Sequence, residues 1–192
     1  ARNAEAATDF TQDANIVSWW YMEEATNATR LDGSANNNDL AKVGGTVAQV
    51  ADAKQGTYSA DFEIVDEADL QIADASQAGL DIQGAQTIVA WVKLESLPGT
   101  NGDEMAIVTK GDNDTEYAYR IRIDFDVFPN KIQYVLSSNG SSLAKASGAT
   151  ALGADTWYHI ACVYNSVDMR VYLNGTLDEN GTNNPKAYVS GI

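Results

Sequence analysis

Two alternating apolar runs closed by an Asn-Gly turn restrict the fold of this chain more than any other feature. Trp157-Tyr158-His159-Ile160-Ala161-Cys162-Val163-Tyr164 and Met169-Arg170-Val171-Tyr172-Leu173 repeat with a period of two, and Asn174-Gly175 follows at once. Asn-Gly tolerates positive φ at both central positions of a tight turn, so a β-hairpin is the expected outcome. The alternation sends every second side chain to one face. Cys162 is then a small buried side chain, and as the only cysteine it forms no intrachain disulfide.

Upstream, similar runs recur. Ile16–Met22 is dense in β-formers and reads as a strand. Short runs around Val47–Val50, Tyr58–Ile64 and Leu70–Ile72 are further strands, while the Ala content of 66–79 admits a helical turn. From Gln86 the alternation is regular. Thr87–Leu94 carries Trp91 in its middle, Leu97-Pro98-Gly99 breaks it, and Met105–Thr109 starts again. Tyr117, Tyr119, Ile121 and Ile123 then share one face, Pro129-Asn130 turns the chain, and Ile132, Tyr134 and Leu136 line the next inward face. Many short strands with no long helix between them argue for an antiparallel sandwich rather than βαβ units.

The totals agree and exclude some partners. With 192 residues, 44% of them hydrophobic, the chain is long enough for a sizeable core and reads as one domain. Lys and Arg number 12 against 27 Asp and Glu, a formal charge of -15, so the average field repels phosphate backbones and anionic lipid. Nucleic acid is not an expected partner. No run approaches the roughly 20 apolar residues of a membrane-spanning helix, so no membrane insertion is expected. Residues 1–14, with no apolar segment, read as a flexible lead-in left after processing.

Several of these segments carry a family resemblance. Asn15–Glu24 is similar to the first strand of the concanavalin-A-like, laminin-G-like jelly-roll family, and Asp32–Asp39 resembles its Asn- and Gly-rich loop. Gln86–Lys93 resembles the family's central strand, and Ile107-Val108-Thr109-Lys110-Gly111 the strand and glycine after it. Most specific are Asp155–Tyr164 and Met169–Gly175, which resemble the paired strands ending in the Asn-Gly hairpin. The resemblance implies an all-β, antiparallel two-sheet jelly-roll sandwich over 15–192. It also implies a secreted or cell-surface protein whose partner is a glycan or an extracellular protein. The family continues past this hairpin into closing strands, whereas here Gly191-Ile192 ends the chain. Three expectations follow: trimmed strands, strand completion by another chain or by self-association, or a different entry of 185–192 into the sheet.

Candidate chemistry is sparse. Glycoside hydrolysis needs a carboxylate pair across a groove, and the nearest pairs are Asp124 with Asp126 and Asp61 with Glu63. Both lack the third acidic residue and the aromatic neighbours of glucanase relatives, so no enzyme is expected. His159 is the only histidine; it reads as packing or a backbone hydrogen bond, since one histidine cannot build a zinc site. Calcium is the more credible ligand. Asp32, Ser34, Asn36, Asn38 and Asp39 offer the hard oxygen donors it requires, and the resemblance implies a structural calcium near this loop. The same side chains also suit Asx-turns. Of Trp19 and Trp20, one is expected in the core and the other outside it; Tyr117, Phe128 and Tyr172 are candidate surface aromatics for sugar binding. The main expectation is a non-catalytic recognition module, and the alternative is an assembly subunit of a surface layer, filament or shell.

Overall fold

The computed structural model describes residues 13–98, 104–113, 116–125, 127–139 and 142–188. Most of the 1–14 lead-in, Asp126, the side chain of Tyr117 and the terminal Gly191-Ile192 lie outside the described residues. The chain divides into two compact units, Ala1–Leu80 and Asp81–Ile192.

In the first unit, β1 (Ala41–Val43) pairs antiparallel with β4 (Asp69–Gln71), and β2 (Val47–Val50) with β3 (Ser59–Phe62). Single 3-10 turns occupy Ile64–Asp66 and Asp74–Ser76, the second of them within the 66–79 stretch where a helical turn was expected. The expected strand at Ile16–Met22 does not form: only an isolated bridge joins Trp20 to Asp32. Side chains of the 32–39 loop take the place of a partner strand. Asp32 Oδ1 accepts the Trp19 N–H (2.9 Å), while Ser34 Oγ and Asn36 Nδ2 donate to the Val17 carbonyl (3.0 and 2.8 Å). Neither Trp19 nor Trp20 reaches a core; both are half-buried, Trp19 edge-on to Tyr21 and Trp20 donating from Nε1 to the Asn38 carbonyl at 2.8 Å.

The second unit holds two antiparallel sheets. In one, β5 (Gln86–Lys93) pairs with β10 (Trp157–Tyr164), which pairs with β11 (Asp168–Leu173); β11 is flanked by β12 (Thr176–Leu177) and β13 (Lys186–Ala187). The other runs β6 (Met105–Asn113), β7 (Glu116–Asp124), β8 (Lys131–Ser137) and β9 (Leu143–Ser147) in that order. Alternation explains the packing. Tyr119, Ile121, Ile123, Ile132, Tyr134 and Leu136 from the four-stranded sheet meet Ile160, Cys162, Tyr164, Met169 and Val171 from the other in one core. This is an all-β, concanavalin-A-like jelly-roll sandwich. Cys162 is fully buried, and burial alone raises its thiol pKa, as the alternation requires.

The hairpin at Asn174-Gly175 forms as expected, with φ of 50° and 81° at its two residues. After it the chain closes the β11 edge in three steps. β12 pairs with Tyr172 and Leu173, the buried Asn184 amide exchanges both hydrogen bonds with the Val171 backbone (3.0 and 2.9 Å), and β13 pairs with Asp168 and Met169. Among the described residues no helix is long and apolar enough to cross a membrane.

Candidate functional site

Chemistry-bearing side chains gather around Asp32 in the first unit and on one sheet face in the second. In the first, the five residues expected to bind calcium come together around Asp32. Its carboxylate accepts four hydrogen bonds: Oδ1 from the N–H groups of Trp19 and Ser34 (both 2.9 Å), Oδ2 from Ser34 Oγ (2.6 Å) and the Asn38 N–H (2.9 Å). Burial works to raise its pKa, but these donors outweigh it and hold the carboxyl below its ordinary value. Asn38 is fully buried; its Nδ2 donates to Ser18 Oγ (2.7 Å) and the Ala78 carbonyl (2.8 Å), and its Oδ1 accepts the Ala78 N–H (2.6 Å). Asp39 Oδ1 accepts the Asp32 N–H at 2.8 Å. Asn36 and Asp39 remain exposed. The loop is thus an Asx-turn scaffold in which Asp32 and Asn38 have their oxygens engaged by protein donors.

The second place lies on the face of the four-stranded sheet turned away from the core. The residues alternating with Tyr119, Ile121 and Ile123 are Arg120, Arg122 and Asp124, and opposite Arg122 stands Gln133. Both arginines form ion pairs with Glu104. Arg122 also donates from Nε and Nη2 to Gln133 Oε1 (2.9 and 2.5 Å), while Gln133 Nε2 donates to Asp124 Oδ2 (3.2 Å) and Ser147 Oγ (3.1 Å). Above this network is a cavity of about 510 Å³, whose wall includes Phe125, Phe128, Leu143, Lys145, Asn183 and Lys186.

Of the expected carboxylates, Asp124 has another use here. Asp124 is 4% exposed and accepts the backbone N–H groups of Phe125 (3.0 Å) and Phe128 (3.2 Å), so it closes the loop after β7. Its expected partner Asp126 lies outside the described residues. Asp61 sits in β3 opposite Ala48, half-buried, and Glu63 follows that strand exposed. His159 packs edge-on against Trp91 at 5.1 Å between ring centroids, and its backbone N–H donates to Asn174 Oδ1 at 3.0 Å, the packing and backbone hydrogen bonding expected of it. Of the surface aromatics, Phe128 reaches the cavity and Tyr172 is half-buried on β11. Sequence reading missed Glu104, Arg120, Arg122, Gln133, Lys145 and Lys186 as a group. The available signal was the polar half of the alternation in β7, which was read only for its apolar half.

Comparison with known proteins bears on the fold. A search of curated proteins returned no match. A crystal structure of an S-layer domain-containing protein (residues 221–444) from Clostridium thermocellum is similar, with a TM-score of 0.52 and 19% sequence identity over 88% of this chain and 72% of that one. At that identity the likeness concerns the fold alone. The Laminin_G_3 model, described as the concanavalin A-like lectin/glucanases superfamily, matches residues 65–191. That span is more than half of the chain and contains both sheets of the sandwich, so the chain belongs to the concanavalin A-like lectin/glucanases superfamily.

Proposed function

We propose that this chain is a non-catalytic structural module of a cell-surface assembly, joined to its neighbours through strand β5. The observation that carries this reading is the contrast between β5 and the other sheet edges. Proteins blunt exposed edges with bulges, very short strands or covering side chains, because an open ladder recruits another chain. Here β6 has three register irregularities. The five-residue β9 is met by Asn180, whose Nδ2 donates to the Ser147 and Gly148 carbonyls (3.1 and 3.0 Å), and β12, β13 and Asn184 close β11. Strand β5 has eight residues in unbroken register with β10 and pairs, among the described residues, with β10 alone.

The core is also thinner at β5. Ile160 and Cys162 on β10 are at most 1% exposed, whereas their neighbours Ile88 and Ala90 on β5 are only half-buried, and Val89 on the opposite face is 45% exposed. An added strand would complete both the ladder and the core cover. The likeness to an S-layer domain-containing protein supports the same reading and a surface location. Calcium enters the proposal at the 32–39 loop through the exposed oxygens of Asn36 and Asp39, with Asp32, Ser34 and Asn38 shaping the loop.

Sedimentation velocity over a concentration series tests this, run on the chain and on Val89→Lys, each with added calcium chloride and with chelator. Concentration-dependent association of the parent chain, abolished in the variant, is the expected result. A parent chain that stays monomeric throughout removes the assembly reading, and association indifferent to calcium and chelator, with an unchanged thermal midpoint, removes the ion.

A further inference from the structure

We propose that a second copy of this chain docks into the cavity on the four-stranded sheet, inserting the turn Ile64–Asp66 of its first unit. This contact goes beyond the β5 reading and does not rest on it, since it uses two other surfaces and is tested with β5 disabled.

Exposure marks both surfaces. Among the described residues the most exposed large apolar side chains are Val65 at 84%, Ile64 at 77% and Val127 at 68%. The first two are consecutive on the 3-10 turn between β3 and β4, and the third lines the cavity with Phe128 and Leu143. Apolar groups left together in water, rather than scattered singly, mark a contact surface. The turn is also firmly held. The Gly45 N–H donates to the Asp66 carbonyl at 2.9 Å, and the backbone of Asp66 and Glu67 lies so close to Gly44 and Gly45 that neither has room for a Cβ. With β3 paired to β2 and β4 to β1, Ile64 and Val65 are presented already ordered, so docking costs little conformational entropy.

Charge matches the two surfaces to each other. Residues 63–67 carry three carboxylates, Glu63, Asp66 and Glu67, and no cation. A second copy with the same formal charge of -15 repels such a turn over most of its surface. At the cavity the turn meets cations. Glu104 is held there by Arg120 and Arg122, and Asp124 by the N–H groups of Phe125 and Phe128, while Lys145 and Lys186 on the wall are paired with no carboxylate among the described residues. Two aliphatic side chains flanked by carboxylates thus face an apolar wall flanked by ammonium groups, and a volume of about 510 Å³ has room for both. Turn and cavity are different surfaces, so the contact is heterologous. Each copy offers one of each, and the contact repeats from copy to copy into rings or filaments.

Docking a single turn buries too little surface to be tight, so the test must register weak binding. Proton–nitrogen NMR correlation spectra of two complementary full-length chains do so, both carrying Val89→Lys so that β5 plays no part. The isotope-labelled chain also carries Ile64→Ser and Val65→Ser and supplies only a cavity; the unlabelled chain carries Lys145→Glu and Lys186→Glu and supplies only a turn. Dispersed spectra of each chain alone check that it folds, and Lys145→Glu alone replaces the pair if the double substitution does not. The expected result is saturable shifts of the labelled amides of Val127, Phe128, Leu143 and Lys145, with a dissociation constant of about 0.1–1 mM that rises severalfold between about 0.02 M and about 0.5 M salt. An unlabelled chain that also carries Ile64→Ser and Val65→Ser should leave the spectrum unmoved. The proposal is overturned if no shifts occur, if they map away from the cavity, if salt leaves them unchanged, or if the chain without Ile64 and Val65 produces them equally. None of these outcomes bears on β5, whose own test is the association of the parent chain.

Discussion

Asp32 shows how one side chain can replace a strand partner. Four donors converge on its carboxylate, one of them the backbone N–H of Trp19, 13 residues away in sequence. Because the folded-state pKa is lowered, the stability Asp32 contributes is fully present above its unfolded value near 4 and is lost as pH falls through the lower folded value. Asp32→Ala should therefore cost roughly 2 kcal/mol at neutral pH, a moderate figure because the site is only half-buried. Urea unfolding at pH 7 and again at about pH 3 checks this, with the gap between parent and variant narrowing at the lower pH. That Asp32 matters was legible from the Asp-Gly-Ser-Ala-Asn-Asn-Asn-Asp cluster. Its engagement with the Trp19 backbone was not, because a hydrogen bond across 13 residues leaves no local pattern.

At the level of elements, alternation succeeded wherever a strand packs against the core of the sandwich. β10 matches its expected bounds, and β5, β7, β8 and β11 lie within a residue or so of theirs, since the core and the ladder enforce the same period. It failed for Ile16–Met22, whose β-forming residues found side-chain donors and acceptors instead of a ladder, and it overlooked β1 and β9, short strands with weak patterns. The hairpin offers a test confined to the backbone. Gly175 has φ +81° and nothing lies within 4 Å of where its Cβ would be, so Gly175→Ala meets conformational strain without a clash. A loss of about 1–2 kcal/mol is expected, measurable by chemical denaturation, with the sandwich itself retained in the circular dichroism spectrum.

For the whole molecule, a formal charge of -15 imposes self-repulsion on every compact state. Repulsion among the surplus carboxylates is long-range and screened by salt. Raising sodium chloride from about 0.02 M to about 0.5 M shortens the screening length severalfold and should raise the thermal midpoint by several degrees. A midpoint that falls or stays level in a salt series by scanning calorimetry would show that the repulsion is already offset by local pairs such as Lys110–Asp81 and Arg170–Asp168, at 2.9 and 2.8 Å.

By itself the sequence determined the all-β class, the Asn-Gly hairpin, the inward faces of the central strands, the burial of Cys162 and the packing role of His159. Each follows from a period of two or from a turn residue's φ, information carried within a few neighbouring positions. Only the tertiary structure decided that Asp124 closes a loop, that Glu104 is held between Arg120 and Arg122, that Lys145 and Lys186 share one cavity, and that β5, among the described residues, pairs with β10 alone. Those facts depend on which strands become neighbours, and strand order is settled by long-range packing of the two sheets over one core rather than by any local run of residues.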